Sequence, residues 1–203
     1  MIKLENVSKT VRKKLVLSNI DLEINRGDFI YLTGHNGCGK TMLLRMLCGL
    51  IIPDTGTVVR DDNISYGVII ENPTFIMNES AEENLRYLAA INKKINDTQI
   101  DDCLKTFNLF EQRKNKVKSF SLGMKQRLAI AQAVMEEPDI LLLDEPFNAI
   151  DDENLQIVYN FLNEYHEKGK TILAASHVDP GDKVQFSRKI VMNNGKISED
   201  INF

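Results

Sequence analysis

One short segment constrains this chain more than any other, because it places a glycine-rich run between a strand-like and a helix-like stretch. Residues 29–33 are apolar-rich, and a match to the pattern G-x-x-x-x-G-K-[ST] follows them, reading Gly34-His35-Asn36-Gly37-Cys38-Gly39-Lys40-Thr41. Glycines let the backbone curl so that successive N–H groups point at phosphate oxygens, and the helix that follows adds the positive end of its dipole. The segment, extended to Met42, therefore predicts a nucleotide-binding site.

Two side chains of this segment have chemical roles in the prediction. Lys40 is expected to reach the β- and γ-phosphates of the nucleotide, and the Thr41 hydroxyl is expected to bind Mg²⁺. The alternative is a glycine-rich turn that only begins a helix. With glycine at about 7% of residues, such a match arises by chance in on the order of one chain in a hundred of this length. The strand–helix context makes that alternative rarer still.

Charge and composition narrow the classes of partner. Lys plus Arg number 25 against 29 for Asp plus Glu, so the net charge is −4, and no nucleic-acid partner is expected. No apolar run approaches the roughly 18 residues that a membrane span needs, and the first ten residues lack the apolar stretch of a signal peptide. Three cysteines without metal-ligand spacing favour a reduced, cytoplasmic chain.

The rest of the chain alternates between the two kinds of secondary structure. Strand-like runs fall at residues 15–24, 28–33, 65–70, 140–144, 171–175 and 189–192, and helix-like segments at 40–50, 81–91, 99–107, 124–136 and 154–167. This alternation predicts an α/β fold with a largely parallel sheet covered on both faces. Because no repeat or linker divides the sequence, residues 1–203 are treated as one domain.

A pair of carboxylates follows the most apolar of these runs, residues 140–143. In a doubly wound sheet, an acid at the carboxyl end of a buried strand points into the ligand crevice. Asp144 therefore fits the Mg²⁺-holding acid of P-loop NTPases, and Glu145 fits a general base that polarises the attacking water. Taken alone, acids at strand ends are solvated turn residues about half the time. The phosphate cradle makes the catalytic interpretation much the stronger one.

With these motifs in place, the whole chain resembles the ATP-binding cassette ATPases, the nucleotide-binding domains of ABC transporters. Residues 120–124 stand at the family's signature sequence, usually Leu-Ser-Gly-Gly-Gln. Residues 148–151 resemble the loop that follows the catalytic acid and runs along the dimer interface, with Asn148 and Asp151 as its polar members. His177, after the strand-like run 171–175, matches the switch histidine that hydrogen-bonds the γ-phosphate.

The resemblance implies a P-loop core with an antiparallel N-terminal β portion and a helical subdomain at about residues 75–136. It also implies a second nucleotide-binding subunit, identical or closely related, whose ATP is contacted by the signature residues Ser121, Leu122, Gly123 and Met124. A separate membrane permease would hold the cassette at the inner face of the membrane. ATP-driven closing of the cassette dimer would then drive transport, with export of an antibiotic, peptide or lipid-like compound as the expected direction and cargo.

Four positions, in three parts of the predicted site, depart from the usual family pattern. Leu122 and Met124 replace a glycine and a glutamine, a form similar to the bacitracin-resistance and lantibiotic-immunity exporters. Glu71 stands where a glutamine normally touches Mg²⁺ and the attacking water; it is expected to meet the metal through a water molecule, and the alternative is a surface loop acid. The loop from Asn72 to Asn78 is expected to face the permease. Val11 replaces the usual adenine-stacking aromatic residue, which predicts weak discrimination between ATP and GTP.

Two other functions remain open at the level of sequence. One is a soluble cassette ATPase that serves iron–sulfur assembly or a similar process. The other is a P-loop kinase that phosphorylates a small molecule, although such a kinase would have no use for a signature segment or for His177.

Overall fold

The structure is a computed structural model that describes residues 1–71 and 74–203. Those ranges contain nine strands and five α-helices, which in chain order are β1 Ile2–Val11, β2 Lys14–Ile24, β3 Phe29–Thr33, α1 Lys40–Leu47, β4 Thr55–Arg60, β5 Tyr66–Ile69, α2 Ala81–Asn92, α3 Asp97–Thr106, α4 Leu122–Val134, β6 Ile140–Asp144, α5 Asp152–Glu167, β7 Thr171–Ala175, β8 Arg188–Asn193 and β9 Lys196–Asn202. Strands and helices alternate through most of the chain, which confirms the predicted α/β class.

The larger sheet is mostly parallel and has the strand order β5-β6-β7-β3-β8-β9. Only β9 runs antiparallel, as the second strand of the hairpin predicted around residues 193–195. All five residues of β6 are buried, because alternate side chains enter two different cores. One core lies against α4 and α5, and the other lies against α1 and the N-terminal strands. Both faces are therefore covered, as expected for a parallel sheet.

A smaller antiparallel sheet has the order β2-β1-β4, which confirms the N-terminal β portion. The sequence analysis located β2 but assigned no bounds to β1 or β4. In β1 the ladder with β2 contains three register shifts, between Leu4 and Val7, between Val7 and Lys9, and between Lys9 and Thr10. Such irregularities interrupt the alternation of apolar and polar residues that marks a half-buried strand, so the pattern is hard to read from sequence.

Every α-helix differs from its predicted segment by one to three residues at one or both ends, and two of these differences have a clear local cause. Helix α1 ends at Leu47 instead of residue 50, because Gly49 adopts a left-handed φ of 79° and the Leu50 N–H turns back to the Arg45 carbonyl. Helix α4 begins at Leu122 instead of residue 124, because the Ser121 hydroxyl accepts a hydrogen bond from the Met124 N–H and acts as the N-cap. In both places short-range chemistry overrides the apolar pattern.

Helices α2, α3 and α4 lie between β5 and β6 in the chain, where a helical insertion was expected. Its boundaries at residues 75 and 136 stay a prediction. Among the described residues, no helix combines the length and the apolar character that crossing a bilayer requires.

Candidate nucleotide-binding and catalytic site

The parallel ladder brings four chain segments to one edge of the larger sheet. Ala175 at the end of β7 pairs in register with Asp144 at the end of β6 and with Leu32 near the end of β3. Strand β5 ends beside β6, with Ile69 opposite Leu143. The residues that follow these four strands are the glycine-rich run, Glu145, His177 and Glu71, so the topology gathers the predicted site residues at the carboxyl ends of the strands.

The glycine-rich run forms a closed loop against the β8–β9 hairpin. The Lys40 ammonium group donates to the Gly34 carbonyl at 2.8 Å, and the Gly195 N–H donates to the Cys38 carbonyl at 2.8 Å. A Cβ atom on Gly34 would lie 2.2 Å from the Met192 carbonyl oxygen, and Gly34 also has a φ of 147°. Glycine is therefore required at this position by both close approach and backbone conformation.

Helix α1 starts from this loop without a side-chain cap. Its N-cap residue is Gly39, with φ 116°, so the first N–H groups of the helix receive no side-chain acceptor there. Uncapped N–H groups and the positive end of the helix dipole form an anion site. His35, Asn36 and Gly37 at the loop's tip are exposed, whereas Lys40 is only 6% exposed. The loop is open to a ligand on the side where the helix begins.

The two predicted metal-binding side chains are in direct contact. The Thr41 hydroxyl donates to an Asp144 carboxylate oxygen at 2.6 Å. Asp144 is 8% exposed, and this burial raises the pKa of its carboxyl group, although the hydrogen bond from Thr41 opposes the shift. A hydroxyl beside a buried carboxylate is an oxygen donor set that suits Mg²⁺. The pair therefore fits the metal that the sequence predicted.

The proposed base and the switch histidine are also partners. His177 Nδ1 lies 2.8 Å from Glu145 Oε2, which leaves Nε2 of the imidazole ring free for another ligand. Glu145 has a left-handed φ of 50°, and its N–H donates to the Ala175 carbonyl at 2.7 Å. A non-glycine residue in this conformation is uncommon and is held here by the neighbouring strand. The structure brings these two predicted residues together.

Glu71 has a partner that the sequence analysis did not name. Its carboxylate forms an ion pair with the Arg45 guanidinium, with 2.7 Å between Oε1 and Nη2. Its backbone N–H faces Asp144, where it favours the charged form of that carboxylate. Arg45 lies four residues after Thr41, so both occupy one side of α1. This spacing was the sequence signal that could have placed Arg45 near the predicted metal site. Glu71 is thus beside the metal-binding pair, with its side chain turned to Arg45.

The signature segment is exposed at Ser121 and Leu122 and makes a close contact at Gly123. Leu122 is 66% exposed at the first turn of α4, while a Cβ atom on Gly123 would lie only 2.7 Å from the Ala149 carbonyl oxygen. The glycine therefore lets α4 approach the loop after Glu145 within the same chain. No hydrogen bond or ion pair among the described residues joins Ser121–Met124 to the cradle, so the structure does not bring these two parts of the predicted site together.

The loop after Glu145 is tied to both neighbouring helices. Asp151 caps α5 by accepting a hydrogen bond from the Asn154 N–H at 3.1 Å, and this bond lowers the pKa of the Asp151 carboxyl group. Asn148 is partly buried, and its N–H donates to the Glu145 carbonyl at 3.3 Å. The Gln126 side chain of α4 donates to the same carbonyl at 3.2 Å. Gln126 lies two residues after the signature segment, and the sequence pattern assigned it no function.

Comparison with known proteins agrees with this geometry. Residues 17–148 match the family model described as "ABC transporter". An uncharacterized ABC transporter ATP-binding protein of Bacillus subtilis, YybJ, is 42% identical over 87% of this chain and 85% of its own length. The bacitracin transport ATP-binding protein BcrA of Enterococcus faecalis is 35% identical over 100% of this chain and 69% of its own. The lantibiotic transport ATP-binding protein SrtF of Streptococcus pyogenes is 33% identical over 88% and 80% respectively.

Solved structures of ABC transporter cassettes share the fold of this chain. The dimeric structure of MJ0796, a bacterial ABC transporter cassette, superposes with a TM-score of 0.89, is 27% identical, and covers 100% of this chain and 98% of its own. A second dimeric structure of that cassette, in a post-hydrolysis state bound to ADP and phosphate, has a TM-score of 0.88 and 25% identity over the same shares. The predicted core and N-terminal sheet are therefore confirmed.

Proposed function

The chain belongs to the ABC transporter family as one of its ATP-hydrolysing cassettes, and from that premise we propose how its residues bind and cleave ATP and what the cleavage drives. The observation that carries the proposal is the pairing of Thr41 with Asp144 and of His177 with Glu145 at one edge of the sheet. One pair supplies oxygen ligands for a cation, and the other supplies a carboxylate and an imidazole for a water molecule.

Binding involves the cradle and the start of α1. The N–H groups of residues 34–42 and the Lys40 ammonium group surround the β- and γ-phosphates, which replace the Gly34 carbonyl as the acceptor for Lys40. Thr41 and Asp144 would hold Mg²⁺, and Glu71 would reach it through a water molecule. The metal, once bound, neutralises charge that develops on the phosphate oxygens.

Hydrolysis involves the second pair. The Glu145 carboxylate accepts a proton from water while the water oxygen forms a bond to the γ-phosphorus, and the bond from that phosphorus to the bridging oxygen breaks. The products are ADP and phosphate. His177 binds Glu145 through Nδ1 and presents Nε2 to the γ-phosphate, so that it orients the water and the base together.

A second cassette completes each site. Ser121 caps α4 and leaves the exposed start of that helix, with its positive dipole end, available to a phosphate outside this chain. Each ATP would lie between the cradle of one subunit and residues 121–124 of the other, with Asn148 and Asp151 beside the interface. ATP favours the closed dimer because it bridges two subunits, and hydrolysis removes that preference.

A membrane permease is the proposed partner outside the dimer. The residues before and along α2 expose apolar side chains on one side: Ile76 and Tyr87 line a shared hollow, and Ile91 follows Tyr87 by one helical turn. Exposed apolar side chains in a cluster mark interaction sites. Of the loop assigned to this contact, Asn72 and Pro73 lie outside the described residues. This contact would place the cassette at the inner membrane face.

The proposed cargo class is an antibiotic or a peptide that the permease exports. The support is similarity to BcrA and SrtF, whose names give bacitracin and lantibiotic transport, and the signature form Ser121-Leu122-Gly123-Met124. The soluble and kinase alternatives have no comparable support among the relatives.

Co-purification tests the transport assignment. The chain would be co-expressed with a multispanning membrane protein encoded beside it and reconstituted in vesicles with ATP and Mg²⁺. The expected result is a stable complex whose ATPase rate rises with a bacitracin-type or lantibiotic-type peptide, and whose rate is lost with Glu145→Gln. Failure to form any complex, together with full ATPase activity of the free chain, would favour a soluble cassette.

A further inference from the structure

Arg45 and Glu71 form an ion pair beside the proposed metal site. Arg45 Nη2 lies 2.7 Å from Glu71 Oε1, and the two side chains are 29% and 62% exposed. Arg45 follows Thr41 by one helical turn on α1, so the pair is connected to the Thr41–Asp144 contact through a single turn of helix.

The backbone of Glu71 lies beside Asp144, whichever way the Glu71 side chain turns. Strand β5 ends at Ile69, opposite Leu143 of β6, which puts residue 71 next to Asp144. The Glu71 N–H faces the Asp144 carboxylate, and its φ of 61° is an uncommon conformation for a residue with a Cβ atom. The position of the carboxylate depends on which group binds it, and in the structure that group is Arg45.

A carboxylate at this point adds a negative charge that has to be compensated. Asp144 and Glu145 are already at this edge, and a triphosphate brings several further negative charges. Like charges that are brought together in a partly buried site oppose binding unless a cation accompanies them. Arg45 is the cation that contacts Glu71.

We propose that Arg45 is a positioning residue that, while no metal ion is bound, neutralises Glu71 and holds its carboxylate to the side of α1, so that a triphosphate can bind next to it. This inference rests on the proposed function, because it takes the nucleotide to lie in the cradle with Glu71 at the metal side. Exposed ion pairs contribute little to folding. The effect of Arg45 is therefore on the affinity for nucleotide and not on the stability of the fold.

Equilibrium binding of ATP in EDTA, with no divalent cation present, tests this inference directly. Arg45→Gln should weaken Mg²⁺-free ATP binding about tenfold, because one carboxylate is left uncompensated. In the E71Q background the same R45Q change should alter the affinity less than about twofold. Arg45→Lys keeps the charge and should stay within about threefold of the unaltered chain. The loss caused by R45Q should also shrink as salt is raised from low to about 0.5 M.

The matched control is Arg86→Gln on α2. Arg86 is also a partly exposed guanidinium in ion pairs, with Glu83 and Asp97, but it lies outside the site. It should leave ATP affinity unchanged, and R45Q and R86Q should have similar thermal midpoints. The thermal midpoints show whether R45Q has a folding defect. If it has one, the ATP affinities of R45K and of R45Q/E71Q are compared instead.

Two results would overturn the inference. One is an R45Q affinity equal to that of the unaltered chain, and the other is an equal loss in R45Q and in R45Q/E71Q, which would mean that Arg45 acts on phosphate directly. A chain that binds no ATP even without substitutions would instead contradict the proposed function.

Discussion

The phosphate cradle and the signature segment each lie at the N-terminus of a helix, but the two helix starts differ in capping and in burial. In the cradle, Lys40 is buried and hydrogen-bonded and α1 begins without a side-chain cap. At the signature, Ser121 caps α4 and the adjacent Leu122 is two-thirds exposed. The chain by itself therefore leaves the first N–H groups of α1 without a side-chain acceptor, whereas the start of α4 is capped and lies at the surface, as the proposed contact with a second chain requires.

The largest expected effect comes from removing the proposed base, Glu145, on the cradle side. Glu145→Gln should lower the ATPase rate by about 10²–10⁴-fold, because an amide cannot accept the proton from water. ATP binding to the cradle should persist, and the variant should accumulate as a dimer with ATP and Mg²⁺ on size-exclusion chromatography. Glu167→Gln, at the far end of α5, is the control and should keep normal turnover. A Glu145→Gln chain that stays monomeric at saturating nucleotide would break the comparison.

The second prediction separates the two halves of the site. Ser121→Ala should reduce the ATPase rate about tenfold through a weakened contact with the second subunit's phosphate, while ATP binding to a single chain stays unchanged. The matched control is Ser80→Ala, since Ser80 caps α2 with the same 3.2 Å bond from an N–H three residues on. Both changes should lower the free energy of unfolding by about 1 kcal/mol.

Only Ser121→Ala should change the dependence of the ATPase rate on protein concentration, because the proposed contact with a second chain involves only that helix start. Equal losses of activity in Ser121→Ala and Ser80→Ala would mean that Ser121 acts through helix stability alone.

A smaller effect should appear in the thermal stability of the protein when Asp144, on the cradle side, is replaced. Burial raises the pKa of Asp144, so the native state binds its proton more tightly than the unfolded chain does. The stability due to the neutral form is fully present below the unfolded-state pKa and is lost as pH rises through the folded-state pKa. At neutral pH, Asp144→Asn should therefore raise the thermal midpoint of the nucleotide-free protein by about 2–4 °C, and the gain should shrink on acidification.

Asp139 is the control for that measurement, because it directly precedes β6, the strand that ends at Asp144. Hydrogen bonds from Ser65 lower the pKa of Asp139, so Asp139→Asn should not stabilise the protein at neutral pH. A lower midpoint in Asp144→Asn would show that the native site favours the charged carboxylate, which is the opposite of what burial of Asp144 predicts.

The smallest expected difference concerns the nucleotide base. Val11 at the end of β1 has no aromatic face, and stacking on an aromatic side chain is worth about 1–3 kcal/mol per base. GTP should therefore be hydrolysed with a kcat/KM within about tenfold of that for ATP, measured with both nucleotides on one preparation. Val11→Tyr should strengthen binding of both. A hundredfold preference for ATP would require another residue that recognises adenine.

The sequence alone determined the fold class, the family and the content of the cradle. The glycine-rich run, the apolar strand before Asp144 and the position of His177 are local patterns that depend on backbone freedom and on strand burial, both of which can be read from residue order. Helix starts were predicted less well from the sequence, because the Ser121 cap begins α4 two residues before the apolar pattern does.

Only the tertiary structure decided which side chains are partners. The contacts of Glu71 with Arg45, of His177 with Glu145 and of Gly123 with Ala149 join residues 26 to 32 positions apart. No sequence period encodes such distances, since they depend on which strand ends are adjacent in the sheet and how closely α4 packs beside the loop after β6. The site residues could be identified from the sequence, but which of them contact each other follows from the geometry of the parallel sheet.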